Sequence, residues 1–353
     1  RLAPFPAANR HTAGTQQEHV VTSRNPLTRR MLQAIVLSVP VVCFATAALA
    51  ETAEPDASEQ GSGIEDETET RAETAARSGA GWRIDPGLRL TARGITARST
   101  APGEDEVIDG NALAAVITPS LVLAKDDVTV TLRNTTTRLE FEDAGRTDRW
   151  QNAARLSVAY DLPGGTRLTA FGERSDNILA AEFTSTDEWE FGGEITRSLD
   201  AANRIALGAS WRERSYDDAA GSRGDGVRID GEYRYRFGAN HYAFLRGRYD
   251  EINSPEARRN LSRWLAEASY QRPVARDLRL RGELSYQRLD FGGRPVAGGG
   301  VREDDLFWPE LTLIWSPGPW RIAGEARYIV RNSTDPAFDR SGYRFEVEVS
   351  HAF

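Results

Sequence analysis

From residue 81 onward, apolar and polar positions alternate with a period of two, and no segment carries the i, i+3, i+4, i+7 stripe of a buried helix face. The pattern predicts fourteen strands, over residues 82–99, 112–124, 127–142, 149–162, 165–178, 187–199, 203–217, 226–238, 240–253, 260–272, 276–291, 304–316, 319–333 and 342–353. In the first, Trp82, Ile84, Leu88, Leu90 and Ala92 oppose Arg83, Asp85, Arg89, Thr91 and Arg93. In the eighth, Val227, Ile229, Tyr233, Tyr235 and Phe237 oppose Arg228, Asp230, Glu232, Arg234 and Arg236, and in the thirteenth Trp320, Ile322, Ala326, Tyr328 and Val330 oppose Arg321, Glu325, Arg327 and Arg331. A dry protein core does not tolerate a whole face of this kind, because each unpaired buried charge costs several kcal/mol. The charged face must meet water and the apolar face something else.

The links between strands sort by parity. After even strands they are short: Lys125-Asp126, Pro163-Gly164, Asp200-Ala201-Ala202, Gly238-Ala239, Pro273-Val274-Ala275 and Pro317-Gly318. After odd strands they are mostly longer and polar, as at residues 100–111, 218–225 and 292–303. Aromatic residues gather near strand ends, with Trp82, Tyr160, Phe237, Tyr270, Trp315, Trp320 and Phe353 at the short-turn end and Trp150, Trp189, Trp211 and Trp264 towards the other. Short turns, long loops and two aromatic girdles are the pattern of a lipid-embedded barrel with its short turns and both termini in the periplasm. The fold class expected is all-β: a transmembrane, antiparallel, up-and-down β-barrel of about fourteen strands, occupying residues 81–353. The last strand, with Tyr343, Phe345, Val347, Val349 and Phe353 on one face and a terminal aromatic, resembles the C-terminal strand by which bacterial outer-membrane β-barrels are recognised by their assembly machinery. That resemblance implies a Gram-negative outer membrane as the destination, with outer-membrane lipid and the assembly machinery as partners. Arg344, Glu346 and Glu348 are then expected to face the pore beside Arg83, Asp85 and Arg89, where the barrel shuts.

The start of the chain fits the same destination. Thr28-Arg29-Arg30 precedes an apolar run over residues 31–49, and Ala48-Leu49-Ala50 before Glu51 reads as a signal-peptidase site, so residues 1–50 are an upstream segment and signal peptide with cleavage after Ala50. Cleavage would remove Cys43, the only cysteine, and with it disulfides, thiol catalysis and cysteine metal sites. Residues 51–80 are acidic and poor in large apolar groups, which predicts a disordered periplasmic tail. The chain carries 44 Lys+Arg against 52 Asp+Glu, a net charge of −8, and cleavage makes it more acidic by removing five Arg and a single Glu. This balance argues against a nucleic-acid partner.

Catalytic chemistry is not expected. The two histidines beyond residue 50, His241 and His351, both fall at the short-turn rim, where girdle and turn roles suit them better than general-base work. The carboxylate pairs Glu190/Glu194 and Glu346/Glu348 sit in a wall that also offers Arg on nearly every strand, so cross-strand ion pairs are expected. The acidic run 103–106 and the pair Asp304-Asp305 lack the ligand alternation of a calcium loop and read as solvated loop charge, and no metal or cofactor is expected. What remains is the wall, whose pore-lining set comprises Arg89, Arg93, Arg155, Arg228, Asp230, Glu232, Arg234, Arg236, Arg246, Arg248, Arg279, Arg281, Glu283, Arg321, Glu325, Arg327 and Glu346. Fourteen strands enclose a modest, partly occluded passage. No loop is long enough for the inward constriction loop of trimeric general porins, and the architecture resembles monomeric fourteen-stranded porins. The resemblance implies a monomeric, passive channel for small hydrophilic solutes. Residues 331–340 and the terminal strand are also similar to the ends of uncharacterised barrel porins and to the barrel of proteins that deliver lipoproteins to the cell surface. Two other readings stay open: a barrel component of exopolysaccharide or surface-lipoprotein export, and a structural barrel closed by its own ion pairs.

Overall fold

The computed structural model describes residues 81–99, 110–142, 148–179, 185–217 and 221–353. The segments expected to be a signal peptide (1–50) and a disordered acidic tail (51–80), and the run 103–106, lie outside these residues. The first seven strands are β1 (Arg83–Ser99), β2 (Gly110–Lys125), β3 (Val128–Phe141), β4 (Arg149–Leu162), β5 (Thr166–Leu179), β6 (Ser185–Ser198) and β7 (Asn203–Tyr216). The second seven are β8 (Arg223–Gly238), β9 (His241–Ile252), β10 (Leu261–Ala275), β11 (Leu278–Pro295), β12 (Val301–Trp315), β13 (Trp320–Ser333) and β14 (Arg340–Ala352). Every strand pairs antiparallel with its sequence neighbours, and β14 returns to β1, which closes the barrel. The strands predicted from alternation are all present, with ends displaced by a few residues.

At three short turns the chain reverses through a left-handed residue, Asp126, Asn240 or Asp277, a conformation that short polar side chains tolerate. Gly164 and Gly165, both at positive φ, turn the chain between β4 and β5. Between β6 and β7 the Asp200 carboxylate accepts from the backbone N–H groups of Ala202 and Asn203 at 2.7 and 2.8 Å, and these bonds hold its carboxyl below the ordinary carboxylate value. One expected turn moves. Pro273-Val274-Ala275 belongs to β10, which takes an irregular register there, and the chain turns at Arg276-Asp277. Similarly, much of the expected loop 292–303 is strand, because β11 runs to Pro295 and β12 begins at Val301.

The outward face is apolar and uncovered. Leu113 is 65% exposed and Val347 56%, and Ile117, Leu132, Leu156, Leu207, Ile229, Leu245, Leu311 and Phe345 continue the band. Exposed apolar surface on this scale marks a face that meets something other than water. Trp82, Tyr160, Tyr270, Trp315, Trp320 and Phe353 border the band at the short-turn end, and Trp150, Trp189, Trp211 and Trp264 towards the long-loop end, all of them exposed.

At closure the register differs from the expected one. Glu348 faces Arg93, Glu346 faces Ile95 and Arg344 faces Ala97, while Arg89 meets Ala352. Arg83 and Asp85 pair with β2 alone among the described residues. The cause is stagger: each tilted strand is offset from the last, and the offsets sum to a shear that residue alternation does not encode.

Candidate channel lumen

All seventeen residues expected to line the pore sit at positions of the face opposite the exposed apolar band, as strand alternation requires. The structure gathers them into distinct groups. Across β6 to β10, Arg212 donates to both oxygens of Glu188, at 3.0 and 2.8 Å, and to Asp250 at 2.7 Å. Arg228 bridges Asp250 and Glu190, each at 2.7 Å, and Arg263 donates to the other oxygen of Asp250 at 2.8 Å. Arg212 and Asp250 are each 2% exposed. Asp250 thus receives three guanidinium groups, an arrangement that satisfies its lone pairs and offsets its loss of water.

Beside this network, Arg248 donates to Asp230 at 2.6 Å, Arg246 lies 3.7 Å from Asp230 and 3.9 Å from Glu267, and Arg234 pairs with Glu232 at 3.2 Å while covering the ring of Tyr242. Arg236 holds an inner-face position near the end of β8. On β11 to β13, Arg327 donates to Glu310 at 2.6 Å and lies 3.2 Å from Glu325, and Arg281 lies 3.6 Å from Glu310. Glu283 accepts from Ser285, and Arg279 donates to Asn240 at 2.8 Å and Ser316 at 2.6 Å. Near the seam, Glu348 accepts from Arg93 at 2.9 Å and from Arg321, and Glu346 from Arg344. Arg89 stands in electrostatic reach of Glu348, and Arg155 lies over the ring of Phe171 at 3.9 Å and reaches Glu173 at 3.4 Å.

The expectation of cross-strand ion pairs holds for Glu190 and Glu348, and for Glu346, which lies 3.6 Å from Arg93 on β1. Glu194 instead accepts from Thr196 on its own strand, at 2.7 Å.

Other features were not anticipated. Asp304, read as solvated loop charge, is fully buried between Arg302 and Arg331, and Arg302 lies 3.3 Å from the ring centre of Phe338, which ends the short 3-10 turn Pro336–Phe338. The Asp304-Asp305 pair splits because successive strand residues point to opposite faces, and Asp305 accepts from Tyr286 instead. At the short-turn end the inner face carries buried Tyr242, Phe244 and Gln271, and towards the long-loop end buried Leu261, Leu289 and Phe291 pack together with Leu306. The 3-10 turn Ala257–Arg259 lies so close to Gly293 that a Cβ there would stand 1.9 Å from the Ala257 backbone. The inner face of β2, with Ala112, Ala114, Val116, Thr118, Ser120, Val122 and Ala124, carries no charge. Alternation of Tyr242 and Phe244 with Arg246 and Arg248 on one face of β9 was the available signal for the inner aromatics.

No protein-family model and no curated protein matches the chain. Among solved structures, the outer membrane channel DcaP of Acinetobacter baumannii superposes with a TM-score of 0.50 at 12% identity, over 78% of this chain and 99% of that one. The chain has the fold of an outer-membrane β-barrel channel. OmpT, an outer membrane protein of Vibrio cholerae, aligns at 7% identity over 78% of this chain and 99% of its own, and OprB of Pseudomonas putida at 8% over 76% and 94%, each with a TM-score of 0.47.

In the outer-membrane-type barrel both described histidines join the aromatic border. His241 shares a 2.8 Å hydrogen bond with Tyr270 and stacks on Phe237, and His351 lies edge-on to Trp320 beside Phe353. Among the described residues, neither histidine has an ion pair or hydrogen bond with a carboxylate of the kind a catalytic dyad uses.

Proposed function

We infer that the protein is a porin-like channel of the Gram-negative outer membrane that lets small hydrophilic solutes diffuse passively through an Arg/Glu-lined lumen, without catalysis, as a monomer with both termini in the periplasm. The observation that carries this reading is the division of one closed sheet into an exposed apolar outer face and an inner face crowded with arginine and carboxylate. Such a wall replaces part of a solute's hydration with charged and hydrogen-bonding groups, while the outer face is matched to lipid. The fold shared with DcaP supports the same reading.

A structural barrel, closed by its own ion pairs, is the second reading. It is favoured by the packing around Arg212 and Asp250, where charged groups contact one another and leave almost no surface. Planar-bilayer recording with the purified protein separates the two. Discrete ion-conducting steps are expected, and their absence across independent preparations that fold into vesicles would leave the structural barrel standing.

A further inference from the structure

Two levels of the inner wall carry opposite charge. On the short-turn side Arg89 interacts electrostatically with Arg321 and Arg133, and Arg321 with Arg281 and Arg93, while Glu348 is an acid that reaches both Arg89 and Arg321. The buried Nε atoms of Arg281 and Arg321 have no hydrogen-bond partner among the described residues. Each of these two guanidinium groups thus keeps an unused donor besides its acidic neighbour, Glu310 at 3.6 Å from Arg281 and Glu348 bonded to Arg321.

Further from the short turns than Arg281 and Arg321 on β11 and β13 stand Glu283 and Glu325, and with Glu267 on β10, Glu310 on β12 and Glu346 on β14 they form a glutamate level. Glu283 pairs directly opposite Glu310, and Glu325 directly opposite Glu346. Like charges at opposed positions are destabilising in a sheet, so this pairing has no structural merit of its own. Arg327 is shared between Glu310 and Glu325. Glu283, 9% exposed, has no ion pair among the described residues, only the hydroxyl of Ser285 at 3.2 Å. Arg281 and Glu283 are two residues apart on one strand, which sets the levels about 7 Å apart there.

A small anion favoured at the arginine level is repelled at the next, and a small cation meets the reverse. A solute carrying both charges, separated along its length, finds a complement at each level. Resting on the channel reading above, we propose that the lumen selects linear zwitterions whose carboxylate and ammonium groups are separated by about the spacing of the two levels, with the carboxylate at Arg281 and Arg321 and the ammonium at Glu283. The field is directed along the barrel axis, and it discriminates by the distance between a solute's charges.

Swelling of liposomes loaded with the full barrel tests this with three probes: δ-aminovalerate, its isomer valine, whose charges are adjacent, and neutral arabinose. The expected result is δ-aminovalerate influx several-fold faster than valine, a comparison that holds mass and net charge constant. R281Q/R321Q and, separately, E283Q should bring the two isomers to similar rates in barrels whose folding is verified by heat-modifiable gel mobility. Arabinose influx with equal isomer rates in the unaltered protein would overturn the zwitterion proposal alone. So would an isomer ratio that survives both variants. Influx of none of the three would overturn the channel reading and this inference together.

Discussion

Asp250 holds three arginines that would otherwise repel one another: Arg212, Arg228 and Arg263 all donate to its two oxygens. Removing one member of a buried ionic group leaves the rest uncompensated, which typically costs about 3–5 kcal/mol. Asp250→Asn should therefore lower the unfolding free energy in detergent or vesicles by that order, measured from denaturant transitions followed by tryptophan fluorescence. Replacing Glu140, an exposed outer-face residue whose partner Arg138 also has Asp148, should have an effect near zero by the same measurement. Equal losses for the two would mean that the buried network does not act as a unit. The fate of Asp304 teaches the same lesson about single residues. Its sequence neighbourhood is polar and glycine-rich, yet one step of alternation places it at the meeting point of Arg302 and Arg331.

At the scale of the strand, alternation made both faces legible. A residue's side of the sheet depends only on counting by two, and the apolar set of β8 and the charged set of β13 were readable for that reason. Height in the barrel was not legible, because it depends on the shear summed over fourteen strands. Hence Glu348, expected beside Arg89, stands opposite Arg93 in register and reaches Arg89 electrostatically. Nor could alternation show that Arg212 reaches from β7 to Asp250 on β9, since that contact depends on the length of an arginine and the curvature of the closed wall. The uncharged inner face of β2 escaped notice because both of its faces are apolar, which hides the alternation. The faces themselves are testable. Ile229 lies on the exposed apolar side, next to the inner-face residue Asp230, and a charge facing lipid near mid-membrane costs about 2–4 kcal/mol. Ile229→Arg should sharply reduce the fraction that folds into vesicles, read from heat-modifiable gel mobility, while Ile229→Leu should fold normally.

For the whole molecule, the ion-paired network is unevenly distributed around the wall. Arg212 on β7 retains 2% of its side-chain surface, whereas Arg93 on β1 retains 38%. Water and solutes should therefore contact the wall near the seam more readily than the wall of β6 to β9. The chain's only cysteine is Cys43, so in a Cys43→Ser background single cysteines report this directly. R93C should react with a water-soluble thiol reagent much faster than R212C in the folded barrel, and both should react alike after denaturation. Matching rates in the folded state would show that the passage does not favour the seam side.

The seam itself carries a mechanical consequence. It joins β1 to β14 through eleven paired positions, from Arg89–Ala352 to Ser99–Gly342, while β1 and β2 share fifteen. Its partners lie at opposite ends of the barrel sequence, whereas every other strand pair is joined by a local turn or loop. Contacts between such distant residues carry a large loop-closure entropy and do not form early. The seam is thus the joint that sets last and, with no connecting turn or loop to hold its two strands together, the line along which the cylinder should part first under load, leaving a curved ribbon whose two free edges are the first and last strands.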